Sequence, residues 1–347
     1  MKTYLVTGGA GFIGSNFIKF LATKYGKDIQ IINIDSLTYA GNIYNLEGVD
    51  QLTNYKFMKT SINDKEAIEK VFKNYNIDYV INFAAESHVD RSIISPEEFI
   101  ETNIKGTFNL IENARKSWVI DFENNKYKDG VKYIQISTDE VYGSLGKDGF
   151  FTEKTPLDPN SPYSSSKAAA DLLVKAYCET YDFPMNITRC SNNYGPNQFP
   201  EKLIPIIVNK CLRKEKIPVY GNGKNIRDWL YVDDHCEAIE CVLKKGEIGE
   251  IYNIGGHNEK ENIEIVKIVI NYINKNHDSN VTEDLISFTA DRKGHDHRYA
   301  IDPSKIKNDL DWSPKTRFEE GIVRTIKWIL ENQEWQRKIE TGEYMQH

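Results

Sequence analysis

Along the chain, short runs of β-branched and aromatic residues alternate with longer stretches in which apolar residues recur every three or four positions. Residues 3–7 form such a run, a glycine cluster follows, and then Phe12, Ile13, Phe17, Ile18 and Leu21 recur at helical spacing. This order reads as strand, glycine turn, helix. The same rhythm predicts strands over 29–34, 55–58, 79–83 and 131–136, separated by helical periodicity such as that over 64–74. Ser161 before Pro162 predicts a helix start, with the helix running through Ala168, Ala169, Ala170 and Leu172 to about residue 180. Alternating elements of this kind predict an α/β fold, a doubly wound parallel sheet covered on both faces.

After Arg189 the rhythm breaks into turn-rich stretches, Asn192-Asn193-Tyr194-Gly195-Pro196 and Gly221-Asn222-Gly223. It resumes with a strand over 229–232, a helix from Asp233 and a strand over 251–254. The chain therefore reads as two interleaved lobes. Residues 1–190 with 228–256 form the larger one, and residues 191–227 with 257–347 form a smaller, mainly C-terminal one. The polar tail after Trp335 is expected to be loosely ordered.

Composition narrows the function classes. A chain of 347 residues with net charge −7 and scattered basic residues lacks the basic patch of a nucleic-acid binder. Five cysteines, odd in number and without a C-x-x-C pair, argue against a disulfide framework and a cysteine zinc site, and favour a reducing cytoplasm. No apolar run approaches the roughly 18 residues of a membrane span, and the chain opens straight into a strand rather than a leader.

The segment Thr7-Gly8-Gly9-Ala10-Gly11-Phe12-Ile13-Gly14 contains G-x-G-x-x-G from Gly9 and G-x-x-G-x-x-G from Gly8. Alone, either is a turn. Here it follows a predicted strand and opens a predicted helix, and Asp35 stands at the end of the next strand, where an acid can bond the adenosine ribose. Glycines let the backbone approach a pyrophosphate, and the helix N-terminus supplies amides and a positive dipole end. The reading is a Rossmann-type dinucleotide site. Ser36, Leu37, Thr38 and Tyr39 include no arginine for a 2′-phosphate, so NAD is favoured over NADP.

Y-x-x-x-K occurs three times. Tyr55 with Lys59 lies in a predicted strand, where four residues span roughly 13 Å, and Tyr220 with Lys224 straddles a glycine turn. Tyr163 and Lys167 lie on a predicted helix, where i and i+4 share a face. An ammonium beside a phenol stabilises the phenolate and brings it towards use as a base. The competing reading is a surface pair on an amphipathic helix.

These motifs, with the Asn192 to Pro196 run, resemble the extended short-chain dehydrogenase/reductase family of nucleotide-sugar enzymes. A further feature selects among its reactions. Ser137-Thr138-Asp139-Glu140-Val141-Tyr142-Gly143 follows a strand at the sheet edge where ligands bind. Two adjacent acids could simply be solvated, and on a continuing strand they would face opposite ways. Both can serve one pocket only if the chain turns after Thr138. Removing water across C5 and C6 of a hexose needs a base for the C5 proton and an acid for the 6-hydroxyl, and two carboxylates in different environments can divide those roles. The C5 proton becomes acidic only once C4 is a ketone. NAD would take the C4 hydride first and NADH would return it to C6, so that the net reaction is a dehydration.

Over nearly its whole length the chain resembles the dTDP-glucose 4,6-dehydratases. The markers are Asp35 to Asn42, Ala84 to Ser92, Thr138-Asp139-Glu140, Tyr163 with Lys167, Arg227-Asp228-Trp229, and Asp291 to Asp296. Epimerases of the superfamily lack the Asp-Glu pair, and GDP-mannose dehydratases and UDP-glucuronate decarboxylases typically place Ser before the Glu. Asp139 is therefore the most discriminating residue.

The resemblance implies that Tyr163 deprotonates the 4-hydroxyl, assisted by Lys167 and Thr138, that Glu140 takes the C5 proton, and that Asp139 protonates the departing 6-hydroxyl. It places NAD on Gly8, Gly11, Phe12, Ile13 and Gly14, on Asp35, Ser36, Leu37 and Thr38, on Ser61 and Ile62, on Phe83, Ala84 and Ala85, and on Thr102, Tyr163, Lys167 and Asn193. It places the nucleotide sugar on Ser87, Thr138, Asn192, Lys202, Leu203, Pro218, Val219, Tyr220, Arg227, Asn262, Arg292 and His295. Arg227 and Arg292 suit a diphosphate because guanidinium forks match phosphate oxygens, with surface ion pairing as the competing reading there and for Lys202 and His295. His295 and His297 lack companion ligands, so no metal is expected.

Two departures stand out. Ser61 replaces an Asp that the family usually sets against adenine, and Lys293 replaces the proline of Arg-Pro-Gly-His, removing a rigid φ. The family's homodimer would use helices around 99–116 and 162–180 in a four-helix bundle. UDP-glucose is the alternative substrate, and a non-catalytic NAD-sensing scaffold is the alternative class.

Overall fold

Seven strands line up side by side, all parallel, in a structure that is a computed structural model and describes residues 1–291 and 296–346. They are β1 (Lys2–Thr7), β2 (Ile29–Asp35), β3 (Tyr55–Lys59), β4 (Tyr79–Asn82), β5 (Lys132–Thr138), β6 (Met185–Cys190) and β7 (Ile251–Ile254). Their spatial order is β3-β2-β1-β4-β5-β6-β7. Every residue of β5 and β6 is buried, polar ones such as Gln135, Asn186 and Arg189 included, because both faces of these strands are covered. The order reverses between β1 and β4, and a crevice opens there, beyond the C-terminal ends of the strands.

Helices cover both faces. Phe17, Ile18 and Leu21 of the helix Phe12–Tyr25 pack with Ala238, Ile239 and Val242 of Val232–Lys245 on one face. On the other, Ile68 and Val71 of Lys65–Asn74 join Leu110, Ile111 and Ala114 of Thr107–Trp118 and Val174 of Pro162–Tyr181. The Thr107–Trp118 helix continues directly from a π-helical stretch, Ile100–Gly106, whose wide turns are a common mark of functional sites.

Two expectations are corrected. The strand predicted over 229–232 is Ile226–Tyr231, and it pairs with Asn192–Tyr194 and Glu259–Glu261 in a separate three-stranded sheet. Periodicity encodes that a strand forms, not which strand it joins. The helices Leu203–Arg213, Asn262–Asn276 and Phe318–Glu331 surround this sheet with their own core, including Ile207, Val208, Val266, Ile270, Ile322 and Ile326.

The tail is ordered, contrary to the reading of its polarity. A helix Gln333–Glu340 and a short turn Glu343–Met345 bury Gln336, Ile339 and Tyr344. Trp335 Nε1 donates to Asn45 Oδ1 at 2.8 Å, and Tyr344 Oη donates to the Tyr39 carbonyl at 2.6 Å. A few apolar and hydrogen-bonding anchors among many charges suffice, because they dock on the loop following β2. Among the described residues no helix is long and apolar enough to cross a membrane, and the five cysteines are unpaired.

Candidate active site

The glycine turn joins the end of β1 to the helix Phe12–Tyr25, and each motif glycine has a separate steric reason. Gly8 has φ +69°, and a Cβ there would lie 2.6 Å from the Ala84 nitrogen just beyond β4. A Cβ on Gly14 would lie 2.3 Å from the Gly8 carbonyl oxygen, so this glycine lets the helix close onto the turn. Gly11 differs, because a Cβ there would meet only the Gly8 oxygen at 3.2 Å. Its missing side chain leaves room for a ligand over the helix N-terminus, where Gly11 caps without a side chain and the first turn holds no acid.

Asp35 closes the far side of this turn. Its Oδ2 accepts from the Ala10 amide at 2.9 Å and its Oδ1 from the Leu37 amide at 2.8 Å. Burial pushes the carboxyl above its ordinary range, and these two amides pull it back. Each oxygen keeps a free lone pair for a ribose hydroxyl. Ile62 is buried, with its carbonyl held by Asn109 Nδ2 at 2.7 Å. Ser61 Oγ accepts from the Asn63 amide at 3.1 Å, which ties it into a local turn.

A cleft of about 350 Å³ runs from this turn to the end of β5. Every expected cofactor residue except Leu37 lines it, from Gly8 through Ser36 and Thr38 to Phe83, Ala84, Ala85, Thr102 and Asn193. Leu37 packs against the adjoining core at φ +52°.

At the other end of the cleft, the chain does turn after Thr138. Asp139–Tyr142 form a 3₁₀ turn, and Thr138 Oγ1 caps it by accepting from the Glu140 amide at 3.3 Å. Behind it, Tyr142 Oη donates to Asn253 Oδ1 at 2.8 Å and accepts from Arg189 Nη1 at 3.0 Å, while Arg189 Nε donates to Asp171 at 2.9 Å. This buried anchor holds both acids on the cleft wall.

The two carboxylates have different surroundings. Asp139 is only 1% exposed, and its Oδ2 is buried without a hydrogen-bond partner among the described residues. Burial, then the neighbouring Glu140 and Asp228, raises its pKa well above the usual carboxylate range, with Arg227 and Thr138 opposing. These surroundings favour the protonated form of Asp139. Glu140 is partly exposed on the same turn.

Tyr163 and Lys167 project from the helix Pro162–Tyr181, whose first turn is fixed by Pro162 and a reciprocal Ser161–Ser164 capping box. Lys167 Nζ donates to the Ile136 carbonyl at 2.6 Å. The expected lowering of the Tyr163 pKa by Lys167 is not what this structure shows. Burial first, then Glu140, Cys190 and Asp139, push the phenol well above its ordinary value, and a Thr138 hydrogen bond opposes them. Burial also lowers the Lys167 pKa, against Asp171 and Cys190. A phenolate beside two carboxyl groups in a dry wall is disfavoured until positive charge is added.

The residues expected to hold the sugar divide into groups. Ser87, Thr138, Asn192, Lys202 and Leu203 line the cleft. Pro218, Val219, Tyr220 and Asn262 do not, and the Val219 side chain is buried in the smaller core while Pro218 and Tyr220 face outward from the same strand. Strand alternation explains that split. Arg227 is likewise outside the lining: its guanidinium donates to the carbonyls of Ile226 at 2.8 Å and Asp296 at 3.0 Å, and stacks on Tyr299. Arg292 and His295 lie outside the described residues. Among the described residues no cluster of possible metal ligands occurs.

Sequence reasoning missed Asn103. Asn103 donates to the Glu86 carbonyl at 3.0 Å and to Ser166 Oγ at 2.8 Å, and accepts from the Glu86 amide at 2.9 Å. It thereby ties the loop after β4 to the helix that carries Tyr163 and Lys167. A lone Asn in an amphipathic helix carries no local signal of such a role.

Residues 5–325 match the family described as GDP-mannose 4,6 dehydratase. The chain is 48% identical to a dTDP-glucose 4,6-dehydratase of Xanthomonas campestris pv. campestris, over 99% of this chain and 97% of that one. The crystal structure of dTDP-glucose 4,6-dehydratase from Bacillus anthracis in complex with NAD is 47% identical, with a TM-score of 0.87 over 98% of this chain and 100% of that one. The dTDP-glucose 4,6-dehydratase of Streptomyces venezuelae, also with NAD bound, is 43% identical, with a TM-score of 0.89 over 97% and 99% of the two chains. With a turn that sets the buried Asp139 and the partly exposed Glu140 beside Tyr163 and Lys167 on one cleft, this chain belongs to the dTDP-glucose 4,6-dehydratase family.

Proposed function

We propose that the protein is an NAD-dependent hydro-lyase that converts dTDP-glucose to dTDP-4-keto-6-deoxyglucose and water. The observation that carries this reading is the buried Oδ2 of Asp139, without a partner among the described residues, on the same turn as Glu140. The Gly8 to Gly14 cradle, the open space over Gly11 and the two-amide grip on Asp35 fit NAD. NAD held there would supply a positively charged ring and the acceptor and donor of the hydride moved from C4 to C6.

The chain's own residues then divide the proton work. Tyr163 Oη takes the 4-hydroxyl proton, with Thr138 Oγ1 bonded to it and Lys167 contributing positive charge. Glu140 takes the C5 proton. Asp139, whose burial favours its protonated form, gives its proton to the departing 6-hydroxyl. Ser87, Asn192, Lys202 and Leu203 line the sugar end of the cleft. Residues 1–190 with 228–256 chiefly serve the cofactor and the remainder chiefly the nucleotide sugar, with Asn193 reaching across to the cofactor and Ser87 and Thr138 to the sugar. The product is a deoxysugar precursor, as for rhamnose, and the five free thiols fit a cytoplasmic enzyme.

The test is mass spectrometry of dTDP-glucose incubated with the protein in D₂O. We expect loss of one water, one solvent deuterium at C5, and no stoichiometric NADH. Turnover of UDP-glucose with dTDP-glucose left intact would overturn the substrate assignment. One methyl group separates the two bases, roughly 1–3 kcal/mol of discrimination, so the comparison belongs in one competition assay.

A homodimer through a four-helix bundle is part of the same proposal. Apolar side chains stand exposed on both helical segments, with Ile100 and Phe108 at 48% and Leu172 at 58%. One turn to either side of Leu172 on the same face stand the small residues Ala169 and Ala176. Leu172→Asp, alone and with Phe108→Asp, is expected to shift the protein from dimer to monomer in light scattering. An unchanged mass would place the interface elsewhere.

A further inference from the structure

His235 sits fully buried in the helix Val232–Lys245, and nothing in the proton chemistry above uses it. Its Nδ1 lies 2.9 Å from Asn193 Oδ1, while its Nε2 is buried with no hydrogen-bond partner among the described residues. Asn193 lines the cleft together with Tyr163, Lys167 and Cys190. It sits in the strand Asn192–Tyr194, in register with Leu230 of the strand that leads into the His235 helix.

The proton on His235 follows from its neighbours. Asn193 Nδ2 donates to the Ser191 carbonyl at 3.0 Å. A carbonyl can only accept, so the nitrogen of the carboxamide must face Ser191 and the oxygen must face His235. The carboxamide oxygen also only accepts, so His235 Nδ1 carries the proton and Nε2 is bare. Burial alone lowers the His235 pKa to about 3, so the ring is neutral across working pH. The backbone of Asn193 is held as well, its carbonyl accepting from Gln198 Nε2 at 2.9 Å.

A free carboxamide could turn by 180° and present its oxygen to the cleft instead of its N–H. We propose that His235 is a positioning residue whose Nδ1–H locks the Asn193 carboxamide, so that an amide N–H is available to an acceptor oxygen of the bound dinucleotide. This rests on the reading of the cleft as an NAD site. The bare Nε2 is the corollary: a second proton would place an unsolvated cation behind the cofactor wall.

The experiment combines nitrogen NMR with a mutant cycle on the full chain. Selective ¹⁵N-histidine labelling should show one ring protonated at Nδ1, bare at Nε2 and not titrating between pH 5 and 9. Protonation at Nε2 instead would overturn the lock. His235→Leu removes the donor and is expected to weaken NAD binding about tenfold, the worth of one hydrogen bond. His235→Asn, whose amide nitrogen can occupy the Nδ1 position, should stay near the parent. In an Asn193→Ala background, His235→Leu should cost little more, since the group it positions is gone. Equal losses in both backgrounds would mark a packing role and overturn the proposal. A chain with the Nδ1–H signal but no NAD binding would keep the lock, sink the cofactor reading and with it the positioning role.

Discussion

Glu140→Gln is expected to lower dehydration of dTDP-glucose by about 10³-fold, within the range for loss of a positioned general base. Gln keeps the volume and the amide-like plane of Glu but cannot take a proton at C5. The turn should survive, because Thr138 caps it through the Glu140 backbone amide and Tyr142 anchors it. Oxidation at C4 does not require Glu140, so a 4-keto sugar that retains its 6-hydroxyl should be recoverable by reductive trapping. Deuterium from D₂O should no longer enter at C5. Unchanged dehydration would remove Glu140 from the role of base, and loss of C4 oxidation as well would mean that the substitution disturbs Tyr163.

The parts of this site written in contiguous residues were legible before any coordinates. The glycine turn and Asp35 are local: strand, turn and helix follow from residues within a short stretch, and their roles in packing follow from sterics. The Asp139-Glu140 pair was legible only through chemistry, since strand alternation alone would have sent the two side chains apart. Its environments were not legible, because they depend on Asp228, Arg227 and the Tyr142 partners Arg189 and Asn253, which come from distant segments. The same gap explains the strand Ile226–Tyr231, whose pattern says strand but whose partners lie some 35 residues earlier and later. Carrying positions across from a family has a related limit. It named Val219 and Arg227, but a position does not say which way a side chain points, and here one enters a core and the other binds carbonyls. In the tail, polarity concealed the anchors Gln336, Ile339 and Tyr344 because docking needs only a few buried contacts.

Asp139→Asn should separate the acid from the base on the same turn. Loss of the proton donor is expected to lower dehydration by roughly 10²–10³-fold. Glu140 remains, so C4 oxidation and removal of the C5 proton should continue, and the C5 position should exchange with D₂O while the 6-hydroxyl stays in place. That signature distinguishes it from Glu140→Gln, in which no exchange occurs. The substitution also has a stability readout. The folded-state pKa of Asp139 is raised above its unfolded value near ~3.9. Between those two values the folded protein holds a proton that the unfolded chain has released, so the parent loses stability as pH rises through that window. Asn does not titrate. The stability of Asp139→Asn relative to the parent should therefore be flat below about pH 4 and increase as pH rises towards the folded-state pKa. Thermal melts from pH 4 to 9 would measure it, and the slope decides the matter whatever the cost of the new amide. A difference that stays constant with pH would show that Asp139 is not held neutral by the fold, and the assignment of the leaving-group acid would fall with it.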